Sequence, residues 1–266
     1  MTTVSPAAPP AAAGRLRNLV AAAAEVVAEA GRDGRTRLPV LRSQVPLVLR
    51  RTPQGVYLVG AGAGPLGGDQ LSLRVTVRAG ASLRLATVAA SVALPGLDGG
   101  ESRLEVTIDV EPGGCLEYLP EPVVIANGAR HASDVRVTLA EGARLIARDE
   151  LILGRHGERG GSYRGALRAD YAGRPLLRQS LEASGTDDAA GGPAVLADHR
   201  AAGTLLLVNQ PAPPPGAADG IAVMPLAGGP ATLVTALAHD AVTLRRHLTG
   251  PSYHGEFSGP GRFATP

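Results

Sequence analysis

The chain has 266 residues and a mass of 27.0 kDa, enough for one large β domain or two smaller domains with sizeable cores. Aromatic residues make up only 3% and Trp is absent, while 35 Gly and 22 Pro indicate many turns. The formal charge of +2 does not predict a nucleic-acid partner, and because every basic residue is Arg, Schiff-base chemistry and a phosphate-loop Lys are excluded.

The N-terminal segment predicts a disordered tail over residues 1–14, which are rich in Pro and Ala. Arg15 and Arg17 follow this tail, and the next apolar run contains Glu25 and Glu29, so the order of a signal peptide is lacking. No run of 18 apolar residues indicates a membrane span. We therefore expect a cytoplasmic protein without a membrane partner.

The first segment after this tail gives conflicting indications. Its alanines favour a helix over Ala21 to Glu29, yet the turn Gly31 to Gly34 and the apolar run that begins at Leu47 favour hairpins. The residues alone leave both alternatives open.

The stretch VYLVGAGAGPLGGDQ contains Gly62 to Gly67, which fits the G-x-G-x-x-G pattern of dinucleotide-binding sites. That pattern requires a helix after the glycines, whereas Leu71 to Val77 alternate apolar and polar residues as a strand does. Pro65 also interrupts the motif. A glycine turn is the better interpretation, and a nucleotide-binding enzyme that uses Gly62 to Gly67 is the alternative.

Three strand-turn-strand units follow, aligned on Gly80, Gly113 and Gly142. Each glycine predicts a positive φ at a turn, and each unit predicts a hairpin with one apolar face that stacking would bury. A weaker fourth unit runs from Leu167 to Leu181. The sequence thus predicts a predominantly all-β fold of repeated hairpins in stacked mixed sheets, similar to a β-helix.

The rest of the chain is less regular. Asp187 to Pro193 and Pro211 to Asp219 predict loops, and the spacing of apolar residues predicts an amphipathic helix between Gly229 and Leu248. Residues 251–266 show no pattern and form a predicted tail, which leaves a single domain over residues 15–250.

Polar residues on apolar faces are the candidates for function. Strand phase places Asp149 among apolar side chains, which requires an ion pair, a bulge that turns it outward, or a functional role. Glu117 shares a face with Cys115, a weak metal indication. His239 and His247 lie two turns apart on the predicted helix, and the other histidines are scattered. Because no catalytic arrangement is found, we predict a protein that is not an enzyme.

Several stretches together resemble the family of urease accessory proteins called UreD or UreH. They are GRTRL, PLVLRRT, GPLGGDQL, AGASL, LEYLPEP and EGARLIARDELILGR, between Gly34 and Arg155. The resemblance implies a non-catalytic chaperone that binds apo-urease, recruits UreF and UreG, and helps to deliver Ni(II). It also favours β structure for Ala21 to Glu29.

The resemblance further implies an internal polar tunnel through which nickel passes, with no tightly bound cofactor. Asp69 and the pair Asp149 and Glu150 match positions associated with its lining. Arg148 stands where relatives often have Trp, and Lys is absent, so the chain departs from the family pattern near these residues. A scaffold that only remodels urease, with no role in conducting nickel, is the alternative.

Overall fold

A computed structural model describes residues 19–186, 192, 195–218 and 220–249. The tails predicted for residues 1–14 and 251–266, and most of the loop predicted over Asp187 to Pro193, lie outside the described residues. The remainder is mostly β-strand with one short helix, which confirms the predicted fold class.

The elements follow one another along the chain with short connections. Within the described ranges they are β1 (Ala21–Ala30), β2 (Thr36–Arg42), β3 (Leu47–Thr52), β4 (Gly55–Gly60), β5 (Gln70–Val77), β6 (Ser82–Thr87), β7 (Ser91–Ala93), β8 (Ser102–Val110), β9 (Cys115–Leu119), β10 (Val123–Ile125), β11 (Arg130–Leu139), β12 (Arg144–Leu153), β13 (Ser162–Tyr171), β14 (Arg174–Ser184), β15 (Ala201–Val208), β16 (Gly216–Ala218), β17 (Ile221–Leu226), β18 (Ala231–Ala238) and α1 (Ala241–Leu248).

Two mixed sheets make up most of the described part of the chain. Sheet A has seven strands in the order β14-β13-β11-β8-β5-β1-β2. Sheet B has eleven strands: nine in the order β16-β17-β18-β15-β12-β9-β6-β4-β3, with β10 beside β12 and β7 beside β10. The largest apolar cluster contains residues of both sheets, such as Val75 and Ile108 from sheet A and Leu116 and Leu145 from sheet B. We call the side of each sheet that carries this cluster its inner face.

The repeated units are wound as a solenoid. In each of the first three units the turn carries the chain from sheet A to sheet B, from β5 to β6, β8 to β9 and β11 to β12. Equivalent strands of successive units then pair in parallel. The prediction that these units are hairpins was therefore wrong, because each strand bonds to its equivalent in the next unit. The fourth unit, β13 and β14, is a true antiparallel hairpin.

The turn glycines adopt the conformation that the repeats predict. Gly80, Gly113 and Gly142 have φ values of 68°, 67° and 73°, which side chains with a Cβ rarely adopt. The same backbone therefore recurs at each crossing between the sheets, and it keeps the stacked units in register.

Two ambiguous segments are resolved by strand pairing. Ala21–Ala30 is strand β1, which pairs with β5 in parallel and with β2 through the turn at Gly31 to Gly34. The helix predicted between Gly229 and Leu248 is wrong in its first half, which forms β18, and right over Ala241–Leu248. The loop predicted over Pro211 to Asp219 contains the edge strand β16. No helix in the described ranges is long and apolar enough to cross a membrane.

Candidate functional site

Asp149 lies on the inner face of sheet B, where its strand β12 otherwise presents Leu145, Ala147, Leu151 and Leu153. Burial, followed by the neighbouring charge of Glu150, raises the pKa of its carboxyl group from 3.8 to about 6. The part of Asp149 that remains accessible faces a cavity of about 570 Å³ between the two sheets. The prediction that Asp149 faces inward is thus confirmed.

The polar groups of this cavity are contributed by several strands. Strand register places Thr204 of β15 opposite Asp149, and Thr235 of β18 opposite Thr204, so three oxygen-bearing side chains form a row across sheet B. Sheet A contributes Tyr163 and Gln179 to the lining. The cavity wall therefore combines a carboxylate, hydroxyls and an amide with an otherwise apolar surface.

Tyr163 faces Asp149 from the opposite sheet. Burial, followed by the charge of Asp149, raises the pKa of the Tyr163 hydroxyl, so this group is neutral at physiological pH. Asp149 and Ser133 lie near enough to influence that pKa, yet the hydroxyl has no hydrogen bond of normal geometry among the described residues. The same is true of Gln179 Oε1. The Tyr163 hydroxyl, which interacts with Asp149 across the cavity, and Gln179 Oε1 are both placed to bind water or a hydrated cation.

A second polar row crosses the inner face of sheet A. Strand pairing places His131 of β11 between Ser102 of β8 and Tyr163 of β13. On the next strand Gln70 pairs with Arg103, so Asp69, one residue earlier, lies beside Ser102. All four side chains are buried. This row therefore connects the strand end at Asp69 with the tyrosine that faces Asp149.

Hydrogen bonds define where the hydrogens of Ser102 and His131 lie. Ser102 Oγ donates to Arg130 O at 3.3 Å, so the contact of 2.9 Å between Ser102 Oγ and His131 Nδ1 uses the imidazole hydrogen. Burial lowers the pKa of His131 to about 4. His131 is therefore neutral at physiological pH and adds no positive charge to the interior.

Asp69 organises the loop before β5. Its carboxylate accepts hydrogen bonds from Leu66 N at 2.9 Å and Val20 N at 3.2 Å. The glycines before it permit close packing, since a Cβ on Gly67 would lie 2.4 Å from Gly100 O and 2.5 Å from Gly96 N. A strand follows these glycines, so the helix that a dinucleotide site requires is absent at this motif.

Glu150 lies on the opposite, outer face of sheet B. Both carboxylate oxygens of Glu150 accept hydrogen bonds from Arg245 Nε of helix α1, at 2.8 and 3.0 Å. Arg148 Nε lies 3.2 Å from Glu150 Oε2. Arg245 also binds Glu121. Burial alone would lower the pKa of Arg245, but its bonds with Glu150 and Glu121 raise it. We call these four residues the outer ion-pair cluster; it fastens α1 to the sheet.

The three predicted nickel-lining residues therefore occupy three different environments. Asp149 faces the cavity, Glu150 belongs to the outer ion-pair cluster, and Asp69 ends the polar row of sheet A without lining the cavity. Among the described residues no group of three or more His, Cys, Asp or Glu side chains is placed to hold a metal ion. Sequence reasoning missed Ser102, His131 and Tyr163.

The other singled-out residues are also placed. Cys115 and Glu117 share the outer face of β9, as predicted, and burial raises the pKa of the Cys115 thiol to about 11, which leaves it uncharged. His239 directly follows β18 and so is not on the same helix as His247.

Comparisons with known proteins point to one family. A family model described as UreD urease accessory protein matches residues 21–250. The chain is 43% identical to a urease accessory protein UreD of Frankia alni, over 94% of this chain and 98% of the relative. It is 45% identical to UreD 1 of Saccharopolyspora erythraea, over 85% and 92%, and 47% identical to UreD 3 of Streptomyces griseus, over 82% and 90%.

Proposed function

The chain belongs to the UreD family of urease accessory proteins, and from this premise we propose that it is a non-catalytic cytoplasmic scaffold for urease maturation. In this role it binds apo-urease, recruits UreF and UreG, and helps to deliver Ni(II), its cargo, to the urease active site. The single observation that carries the nickel role is the carboxylate of Asp149 in the cavity between the sheets.

Asp149 has the properties of a transient cation ligand. With a pKa of about 6 it is mostly ionised at pH 7, although burial opposes that charge. A divalent cation in the cavity would stabilise the ionised carboxylate. The neighbouring donors are the oxygens of Thr204, Thr235 and Gln179. Oxygen donors bind Ni(II) less tightly than a site of imidazoles and thiolates, which suits a cation that must leave again.

The polar row of sheet A supports a route between the sheets. It places Asp69, Ser102, His131 and Tyr163 side by side on the buried face, ending next to Asp149. Because His131 is neutral, the row does not repel a cation at its centre. We infer that nickel and its water shell pass along this row. Glu150, paired with two arginines, contributes to holding helix α1 and not to the route.

The test uses Asp149→Asn, which removes the charge and nearly keeps the volume. Asp109→Asn is the matched control, because Asp109 alternates with buried Ile108 and Val110 and so lies on the outer face of β8. Apo-urease, UreF and UreG are co-expressed with each variant, and urease activity and bound nickel are measured. We expect both to fall with Asp149→Asn and to be unchanged with Asp109→Asn.

Two results would overturn parts of the proposal. Full activation by Asp149→Asn would favour a scaffold that remodels urease while nickel passes elsewhere. Equal activation with the chain omitted would refute the maturation role itself. The nucleotide-binding alternative is tested separately, since it requires ATP or NAD to bind the purified chain.

A further inference from the structure

Two histidines that the cavity does not use lie together at the end of sheet B. His199 is in the loop that precedes β15, and His239 directly follows β18. The two strands pair Ala201 with Ala238, which brings the imidazole rings to a centroid distance of 4.4 Å and an angle of 19° between their planes. We call them the histidine pair.

The hydrogen bond of His199 is the kind that prepares a metal ligand. Its Nδ1 lies 2.9 Å from Leu196 O, and because a carbonyl only accepts, Nδ1 carries the hydrogen. The lone pair is therefore on Nε2. Metal-binding histidines almost always donate their second ring nitrogen to a carbonyl or carboxylate in this way, which fixes the ring and its tautomer.

The loop that holds His199 adopts a costly backbone conformation. Ala197 and Asp198 have φ values of 46° and 63°, so two consecutive residues other than glycine are left-handed. Such a residue costs on the order of 1 kcal/mol or more, and such strain clusters at functional sites. Hydrogen bonds from Ala197 N to Gly192 O and from His199 N to Leu196 O close the loop and maintain this shape.

Sequence neighbours of the histidine pair line the Asp149 cavity, although the two histidines themselves do not. Val195 and Ala202, on either side of His199, line the cavity, and so does Leu237, two residues before His239. His239 is exposed and His199 is half-buried, so a cation in solution can reach both rings. The guanidinium of Arg200 is engaged elsewhere, with the carbonyls of Leu153, Arg155 and Glu158 at 2.8–3.2 Å.

We propose that His199 and His239 together bind a borderline divalent cation of the Ni²⁺ class through their Nε2 atoms, with water or a partner's side chain completing its coordination. Imidazole suits Ni²⁺ and Zn²⁺ and not Mg²⁺. Metal–nitrogen bonds are about 2.0–2.1 Å for Zn²⁺. Because the planes of the two stacked rings are nearly parallel, the exposed His239 side chain must rotate out of the stack for its Nε2 and that of His199 to bind one ion. The proposal that the pair loads cations into the cavity rests on the proposed function, whereas the proposal that the pair binds a cation does not.

The experiment titrates the purified full chain with Ni²⁺ against a competing chromophoric chelator. His199→Ala and His239→Ala are compared with His156→Ala, which removes an exposed histidine from the turn after β12. Loss of an outer partner of a metal ligand costs about 10–100-fold in affinity, so loss of a ligand should cost at least about tenfold. We expect that loss in both variants of the pair and none in His156→Ala, with Mg²⁺ unable to displace Ni²⁺.

A spectroscopic measurement guards against an indirect effect of unfolding. The X-ray absorption spectrum of the Ni²⁺-loaded chain should contain imidazole scattering that is reduced in His239→Ala, at an exposed site where folding is not at stake. Unchanged affinity or unchanged scattering in the pair variants would overturn the proposal. Urease activation by the same variants is scored separately, so failure of the histidine pair is distinguishable from failure of the maturation role.

Discussion

The carboxylate of Asp149 should reduce the stability of the protein at neutral pH. Its pKa is raised from 3.8 to about 6 in the folded state, and this difference corresponds to about 3 kcal/mol. For an acid whose folded pKa is raised, the folded state holds the proton more tightly than the unfolded chain does. The contribution of Asp149 to stability is therefore highest below pH 3.8, falls as the pH rises to about 6, and stays lower above it.

Asp149→Asn removes this dependence, because an amide has no charge to bury. We expect the variant to be more stable than the unmodified protein by up to about 3 kcal/mol at pH 7.5, and by only about 0.5 kcal/mol at pH 4. Urea unfolding with a chelator present, at several pH values between 4 and 8, measures the difference between the two proteins. The chelator matters because a bound cation would itself favour the ionised carboxylate.

The result would refute the reasoning in either of two ways. A gain that is the same at pH 4 and pH 7.5 would mean that charge burial is not its cause. A variant that is less stable at pH 7.5 would mean that the carboxylate is satisfied in the fold, as a structural ion pair would be. Together with lower urease activation, the expected gain would identify Asp149 as a residue retained for function at the expense of stability.

Arg245→Ala leaves Glu150 paired with Arg148 alone, so it should cost on the order of 1–3 kcal/mol by urea unfolding, less than the loss of every partner would. The exposed Arg246→Ala on the same helix should cost under about 0.5 kcal/mol, and equal effects would contradict the role of the cluster. Gly165→Ala places a Cβ 2.6 Å from the hydroxyl of Tyr163 and should lower the free energy of unfolding by about 1–3 kcal/mol. The control Gly60→Ala should change it little, because nothing lies within 4 Å of the added Cβ. Unchanged stability of Gly165→Ala would mean that the tyrosine ring can move at no cost.

The inner and outer faces of the strands could be predicted from sequence because alternation encodes them directly. Strand partners could not: a short turn between two alternating runs is equally compatible with a hairpin and with a crossing between sheets. The predicted C-terminal helix is longer than the observed one for a related reason. Leu233 and Leu237 are four residues apart, a spacing that puts two residues on one face of a strand as well as of a helix.

The candidate site was predictable where a single position violated its pattern, as Asp149 does. Contacts between residues of different sheets, such as Tyr163 and Asp149, could not be predicted from the sequence, because they depend on how the two sheets pack. The sequence also contains a regular spacing that predicts the polar row. Asp69, Ser102 and His131 each lie eleven residues before a turn glycine, so aligning the repeats would have placed them together.

The constant offset between that row and the turns has a consequence for how such chains change in length. The turn glycines are 33 and 29 residues apart, yet the segment from the polar row to the turn is the same in each unit, so the difference falls on the connections from β6 to β8 and from β9 to β11. Among the three units of this chain, the difference in length is absorbed at this end of the molecule, while the segment between the polar row and the turn keeps its length. The polar row, Asp149 and the histidine pair all belong to the adjustable end, where a lineage can reshape its surface for a new partner without disturbing the winding of the solenoid.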